Sequence, residues 1–170
     1  MAKRTFSVSA HRTSPPSGSA RTAALSLLAR RDYTSAELST RLIGRGYTAE
    51  DVAEALKYLI ANGSVNDARV AAAHVRTSTR VKGRGRLRVK GELMARGLSR
   101  QAIDQALSAI ETGDERDALA RILKRKQYPE RPTQAERQRM YQHLLRRGFP
   151  GDLIRSVLGR GSWSPDDDDS

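Results

Sequence analysis

The feature that most constrains what this chain can fold into is a triple repeat. Gly46, Gly97 and Gly148 each stand 51 residues after the one before, and each follows an arginine: Arg45, Arg96 and Arg147. Leu42, Leu93 and Leu144 lie four residues ahead of the glycines, and Tyr47, Leu98 and Phe149 directly follow them. Val52, Ile103 and Ile154 come six residues after, and Leu56, Leu107 and Leu158 ten after. Apolar columns kept in register through three copies describe a tandem array of one supersecondary unit.

Each column has a physical reading. A leucine four residues before a glycine is the last apolar contact of a helix whose C′ position the glycine fills, because glycine takes the left-handed conformation without steric cost. The arginine before it faces the negative end of the helix dipole. Thr48 and Ser99 then act as N-caps of the next helix, with Tyr47/Val52 and Leu98/Ile103 at the spacing of a hydrophobic staple. In the third copy Pro150 stands where the cap hydroxyl would be, which a first helical turn tolerates. Thr34 with Glu37 and Thr133 with Glu136 add two capping boxes.

The grammar predicts helices at about 21–31, 34–45 and 48–61, then about 67–79, 86–96 and 99–111, then about 115–127, 133–147 and 150–159. The expected fold is all-α: three tandem three-helix, helix–turn–helix-like repeats over residues 21–65, 66–112 and 113–160, in an elongated, curved array. Residues 1–20 are expected to form a disordered basic arm, and residues 161–170, with Asp166 to Asp169, a disordered acidic tail. From Val81 to Gly91 basic residues occupy every even position, an alternation that taken alone suits a strand. The repeat register favours a glycine-loosened loop to about Gly85 and helix afterwards.

Charge narrows the partners. The 170 residues hold 31 Lys and Arg against 19 Asp and Glu, a net charge of +12, so nucleic acid, an anionic membrane surface or an acidic protein groove are the natural counterparts. There is no cysteine, hence no disulfide, thiol nucleophile or thiolate metal site. Nothing approaches the roughly 20 apolar residues of a membrane span, and the N-terminus has no signal-peptide core. The chain reads as soluble, cytoplasmic and monomeric, without a cofactor or metal. His11, His74 and His143 lack ligand spacing. No phosphate-binding loop is present, and Gly83-x-Gly85 is no dinucleotide fingerprint. An enzyme is not expected.

Several stretches together resemble the RecX family of regulatory proteins. They are Asn62-Gly63-Ser64-Val65-Asn66-Asp67 followed by Val70-Ala71, Lys82-Gly83-x-x-Arg86-Leu87, Glu92-Leu93-x-x-Arg96-Gly97-Leu98, and Leu145-Arg146-Arg147-Gly148-Phe149 followed by Ile154. The likeness spans about residues 22 to 159. The family often carries proline where this chain has Arg84 and an aromatic residue where it has Val70. The resemblance implies a protein that binds the RecA recombinase, lies in the groove of its filament on DNA, and inhibits its ATPase and strand exchange, modulating recombination, DNA repair and the SOS response.

The residues expected to meet DNA or the filament groove are Arg76, Arg80, Lys82, Arg84, Arg86, Arg88, Lys90 and Arg100, a run broken by a single acid, Glu92. Arg121, Lys124, Arg125 and Lys126 form a second cluster. It continues in Arg137, Arg139, Arg146 and Arg147, where interspersed acids also suit an ordinary surface. DNA contact is expected to be weak and indifferent to sequence, on single or double strands. The rival reading is a helix–turn–helix transcription regulator, although the second helices of the first two corners carry few side chains suited to base edges.

Overall fold

The computed structural model describes residues 18–110 and 112–159, Thr112 by its backbone only. Most of the expected basic arm and the whole acidic tail lie outside the described residues. Two compact units divide at Asn66 and Asp67. The described residues are helical throughout their regular structure, with no strand, and no helix among them is long and apolar enough to cross a membrane.

The first unit holds α1 (Ala20–Leu28), α2 (Ser35–Ile43) and α3 (Ala49–Ala61). Ser19, Thr34 and Thr48 cap them, each side chain accepting a backbone N–H three residues on, and Thr34 with Glu37 closes a full capping box. Ala24, Leu27, Leu38, Leu42, Val52 and Leu59 build its core. Tyr33 is buried, with the Arg31 guanidinium 3.9 Å and that of Arg41 5.2 Å from its ring centre.

The second unit contains the other two repeats. The first of these has α4 (Asp67–Arg76), a π-helical turn (Thr77–Val81), α5 (Arg86–Ala95) and α6 (Arg100–Ser108); the second has α7 (Thr112–Arg125), α8 (Gln134–Arg146) and α9 (Gly151–Leu158). Each repeat keeps its own core, Val75, Val89, Leu93 and Ile103 in one, Leu119, Leu144, Phe149 and Ile154 in the other. Ser99 and Thr133 cap α6 and α8, and α9 starts after Pro150 without a side-chain cap.

The glycine columns are Schellman corners. Gly46, Gly97 and Gly148 have φ of 92°, 75° and 84°. In each copy the residue after the glycine donates to the leucine four before it: Tyr47 to Leu42, Leu98 to Leu93 and Phe149 to Leu144, all at 3.3 Å. One stretch differs from expectation. The helix expected to about residue 79 changes its winding after Arg76, where Ser78 is buried and Lys82 N–H reaches Thr77 O at 3.1 Å across five residues. The alternating stretch follows the repeat register as expected, a loop to Gly85 with α5 starting at Arg86, and not the strand that its alternation taken alone would suit.

Within the second unit the two repeats meet backbone to backbone. Gly85 N–H donates to Arg147 O at 2.8 Å and Leu87 N–H to Gly148 O at 3.0 Å. Arg147 Nη1 returns two bonds, to Lys82 O at 3.1 Å and Gly83 O at 3.2 Å, and Arg88 Nη1 donates to Arg146 O at 3.1 Å. Glycine is required on both sides. A Cβ on Gly85 would stand 2.3 Å from Gly148 O, and one on Gly148 would stand 2.3 Å from Arg88 N. Gly85 has no side chain with which to cap α5, and the buried Glu115 of α7 takes over, its Oε1 accepting from Arg86 N–H at 2.9 Å.

Gly85→Ala and Gly148→Ala are therefore expected to lower the unfolding free energy by about 2 kcal/mol or more each, since the obstacle is backbone that cannot swing aside. Gly91→Ala, in α5 with nothing within 4 Å of its Cβ, is expected to be neutral or to add up to about 1 kcal/mol. Urea unfolding of the three variants checks both signs.

Candidate nucleic-acid and filament interface

The basic residues of the second unit fall into separate environments. Arg84 and Arg88 turn toward Glu92, at 2.6 Å and 3.1 Å from its Oε1. The other oxygen of Glu92 lies 2.9 Å from His74 Nε2 and 3.5 Å from the Ser78 hydroxyl. The lone acid of the basic run is thus a hub joining α4, the π-helical turn and α5. Arg86 Nε lies 3.8 Å from Glu115, while Lys90 and Arg100 approach Asp104 at 3.7 Å and 3.9 Å. The two pairs with Asp104 are exposed and long and add little stability, whereas the carboxylate that Arg86 approaches is buried.

Arg76 and Arg80 sit elsewhere, beside an alanine-lined groove of about 440 Å³ between α4 and α6, floored by Ala72, Val75, Ala102 and Ala106. Lys82 is exposed in the loop. Arg121, Lys124, Arg125 and Lys126 are exposed along the last turns of α7 and just beyond it.

Four of these residues are drawn together by the glycine junction. The Arg147 guanidinium is held below its ordinary value first by burial and then by the positive charges of Arg125, Arg88 and Arg84. His143 is likewise pushed down by burial and then by Arg147, Lys126, Arg146 and Arg125. Arg147 Nε donates to His143 Nε2 at 3.1 Å, which requires an unprotonated imidazole nitrogen there. A cation that must share its surroundings with so many others, with Glu92 as the nearest counter-charge to Arg84 and Arg88, marks a focus of positive potential. Arg84, Arg88, Arg125 and Lys126 belong to this focus; Arg76, Arg80, Lys90 and Arg100 lie apart from it.

Sequence reasoning left Arg146 and Arg147 open between a second basic cluster and an ordinary surface; the structure brings both to the middle of the focus. Arg147 precedes the glycine that packs on Gly85, a contact 63 residues apart in sequence that its glycine column does not announce. Glu115 carried no local signal, because its partner Arg86 is 29 residues away. Beside the focus, Lys126, Tyr128, Arg139, Met140, His143 and Arg146 line a cleft of about 570 Å³ between the end of α7 and α8.

These features define a tandem three-helix-repeat protein with a cationic seam between its last two repeats. Family models match the chain repeat by repeat: the first three-helix domain of RecX over residues 20–59, the second over 66–107 and the third over 114–158. The regulatory protein RecX of Chromohalobacter salexigens is 35% identical over 140 residues, covering 82% of this chain and 90% of that one. RecX of Xanthomonas axonopodis pv. citri is 37% identical over 135 residues, 79% and 82% of the two chains. RecX of Geobacillus kaustophilus is 36% identical over 141 residues, which is 81% of this chain but 52% of the longer relative. The crystal structure of RecX from Lactobacillus salivarius shares the fold, with a TM-score of 0.76 at 21% identity over 82% of this chain and 92% of that one. The chain belongs to the RecX family of regulatory proteins.

The Glu92 hub yields a pH dependence. Burial raises its carboxyl, but hydrogen bonds from His74, Arg88 and Arg84, with the charge of Arg84, outweigh this and hold it below its ordinary 4.5. A depressed carboxyl contributes stability above its unfolded value and loses it as pH falls through the folded one. Glu92→Gln is expected to cost about 1–2 kcal/mol at pH 7. The gap from the native chain should close as pH falls below about 4, which urea unfolding at a series of pH values measures.

Proposed function

We propose that this chain binds a RecA-type recombinase and its DNA filament and inhibits the recombinase, restraining ATP turnover and strand exchange and so modulating recombination and repair. The observation that carries the reading is the cationic seam in a chain of the RecX family, the family whose resemblance implies that partner. The seam offers Arg125, Lys126 and Arg146 to phosphate or to an acidic protomer surface, while Arg84 and Arg88, held by Glu92, set the potential around them. The protein acts by occupancy, without catalysis of its own: a body lodged against neighbouring protomers restrains the movements that ATP turnover requires and excludes a second DNA. Such a partner places the protein in the cytoplasm, and the monomer is the acting species.

Recombinase ATPase on single-stranded DNA is expected to fall as the purified chain is titrated in, at less than one molecule per protomer. Full ATPase at molar excess would sink the reading. Changing Arg125, Lys126 and Arg146 together to Gln is expected to flatten the salt dependence of DNA binding, the slope of log K against log salt, by roughly 2 to 3. Helical circular dichroism should be unchanged, since these side chains are exposed. A panel of unrelated duplexes should bind alike; strong preference for one would favour the transcription-regulator reading.

A further inference from the structure

The acidic segment near the end of the sequence has no role in the function above, and neither has the apolar part of the cleft between the end of α7 and α8. Their chemistries match. The cleft has an apolar part, Met140 with Pro129 and Tyr128, bordered by Lys126, Arg139 and Arg146. These three cations form no ion pair with a carboxylate among the described residues. Arg139 and Arg146, seven residues apart, lie on one face of α8, separated by about 10 Å along its axis. The cleft's own acid, Glu136, hydrogen-bonds Thr133, its Oε2 accepting from Thr133 N–H at 2.8 Å and from the Thr133 hydroxyl at 2.9 Å, and meets Arg139 only through its charge. The segment offers the complement, one indole, Trp163, and four consecutive carboxylates, Asp166 to Asp169.

Reach permits the match. Arg155 Nη1 donates to the Tyr141 hydroxyl at 3.2 Å, so α9 passes α8 at its middle, one turn before α9 ends at Leu158. From Leu158 to Trp163 the chain can extend about 17 Å, and to Asp166 about 27 Å, against a helix diameter of about 10–12 Å. The segment can therefore pass around α8 to the cleft without displacing any helix.

We propose that Trp163 and Asp166–Asp169 of this chain dock in the α7–α8 cleft, indole against its apolar part and carboxylates on Lys126, Arg139 and Arg146, so that the segment masks these cations until nucleic acid or an acidic partner surface displaces it. Because Lys126 and Arg146 also belong to the cationic focus, the tail and the proposed ligand compete for the same charges. The contact rests on the reading above only for this consequence; the docking itself stands apart from it.

Trp163 is the single tryptophan of the chain, so its fluorescence reports on the segment alone. The test is acrylamide quenching of the full chain at low ionic strength, set against two variants: one with Asp166, Asp167, Asp168 and Asp169 all changed to Asn, the other combining Arg139→Gln with Arg146→Gln. The native chain is expected to be quenched less than either variant. Added oligothymidylate should raise its quenching to their level. The four-Asn variant should bind oligothymidylate roughly tenfold more tightly at low salt, the effect of releasing a few exposed ion pairs. That advantage should vanish near 1 M salt, where screening acts within about 3 Å. Equal quenching of all three proteins overturns the proposal, as does protection that oligothymidylate leaves intact. Protection that grows with protein concentration also overturns it, because the cleft would then hold a second copy's segment. Recombinase ATPase separates the two readings: if neither the native chain nor the four-Asn variant inhibits, the filament reading fails while protection of Trp163 still tests the docking.

Discussion

The close passage of two glycine backbones, Gly85 and Gly148, is the constraint on which the second unit of this molecule depends. Neither side tolerates a Cβ, so the loop before α5 and the corner after α8 exchange main-chain hydrogen bonds directly. That contact carries Arg84 and Arg88 of one repeat to Arg146 and Arg147 of the next. Like charges do not assemble spontaneously; the sum of backbone bonds, the two packed cores and the Glu92 and Glu115 carboxylates offsets their repulsion. The surface is pre-charged by the fold.

The two carboxylates divide the labour. Glu115, buried, replaces the cap that glycine cannot provide and so fixes where α5 begins. Glu92, partly exposed, gathers His74, Ser78, Arg84 and Arg88 and so fixes the course of the π-helical turn and the loop after it. A chain with neither acid would carry more charge through this stretch and less definition. The arginine run reads as purely outward-facing only when Glu92 within it and Glu115 beyond it are overlooked.

Much of the fold was legible because its signals are local. Capping boxes at Thr34 and Thr133, staples such as Tyr47 with Val52, and leucines four before each glycine act within one or two turns, and all three corners formed as their spacing implies. The site was legible only in part. Composition announced a basic surface but not which cations converge, because convergence depends on contacts between repeats, such as Arg88 with Arg146 58 residues away and Arg147 with Lys82 65 away. Nothing local tells Arg147 apart from Arg45 and Arg96, which hold the same place in their corners. The change of winding after Arg76 was hidden for a related reason: it follows from burial of Ser78 beneath a histidine and a glutamate, of which Glu92 comes 14 residues later.

On the proposed function, the seam between the last two repeats is the surface that meets the filament. Because the chain has no cysteine, Lys126→Cys and Arg146→Cys each provide a unique attachment point for a short photo-crosslinker. Illumination of the labelled chains on a recombinase filament assembled on single-stranded DNA should give adducts to recombinase or DNA from both positions, in proportion to the inhibition observed. Full inhibition of the recombinase with no adduct from either position would contradict the account.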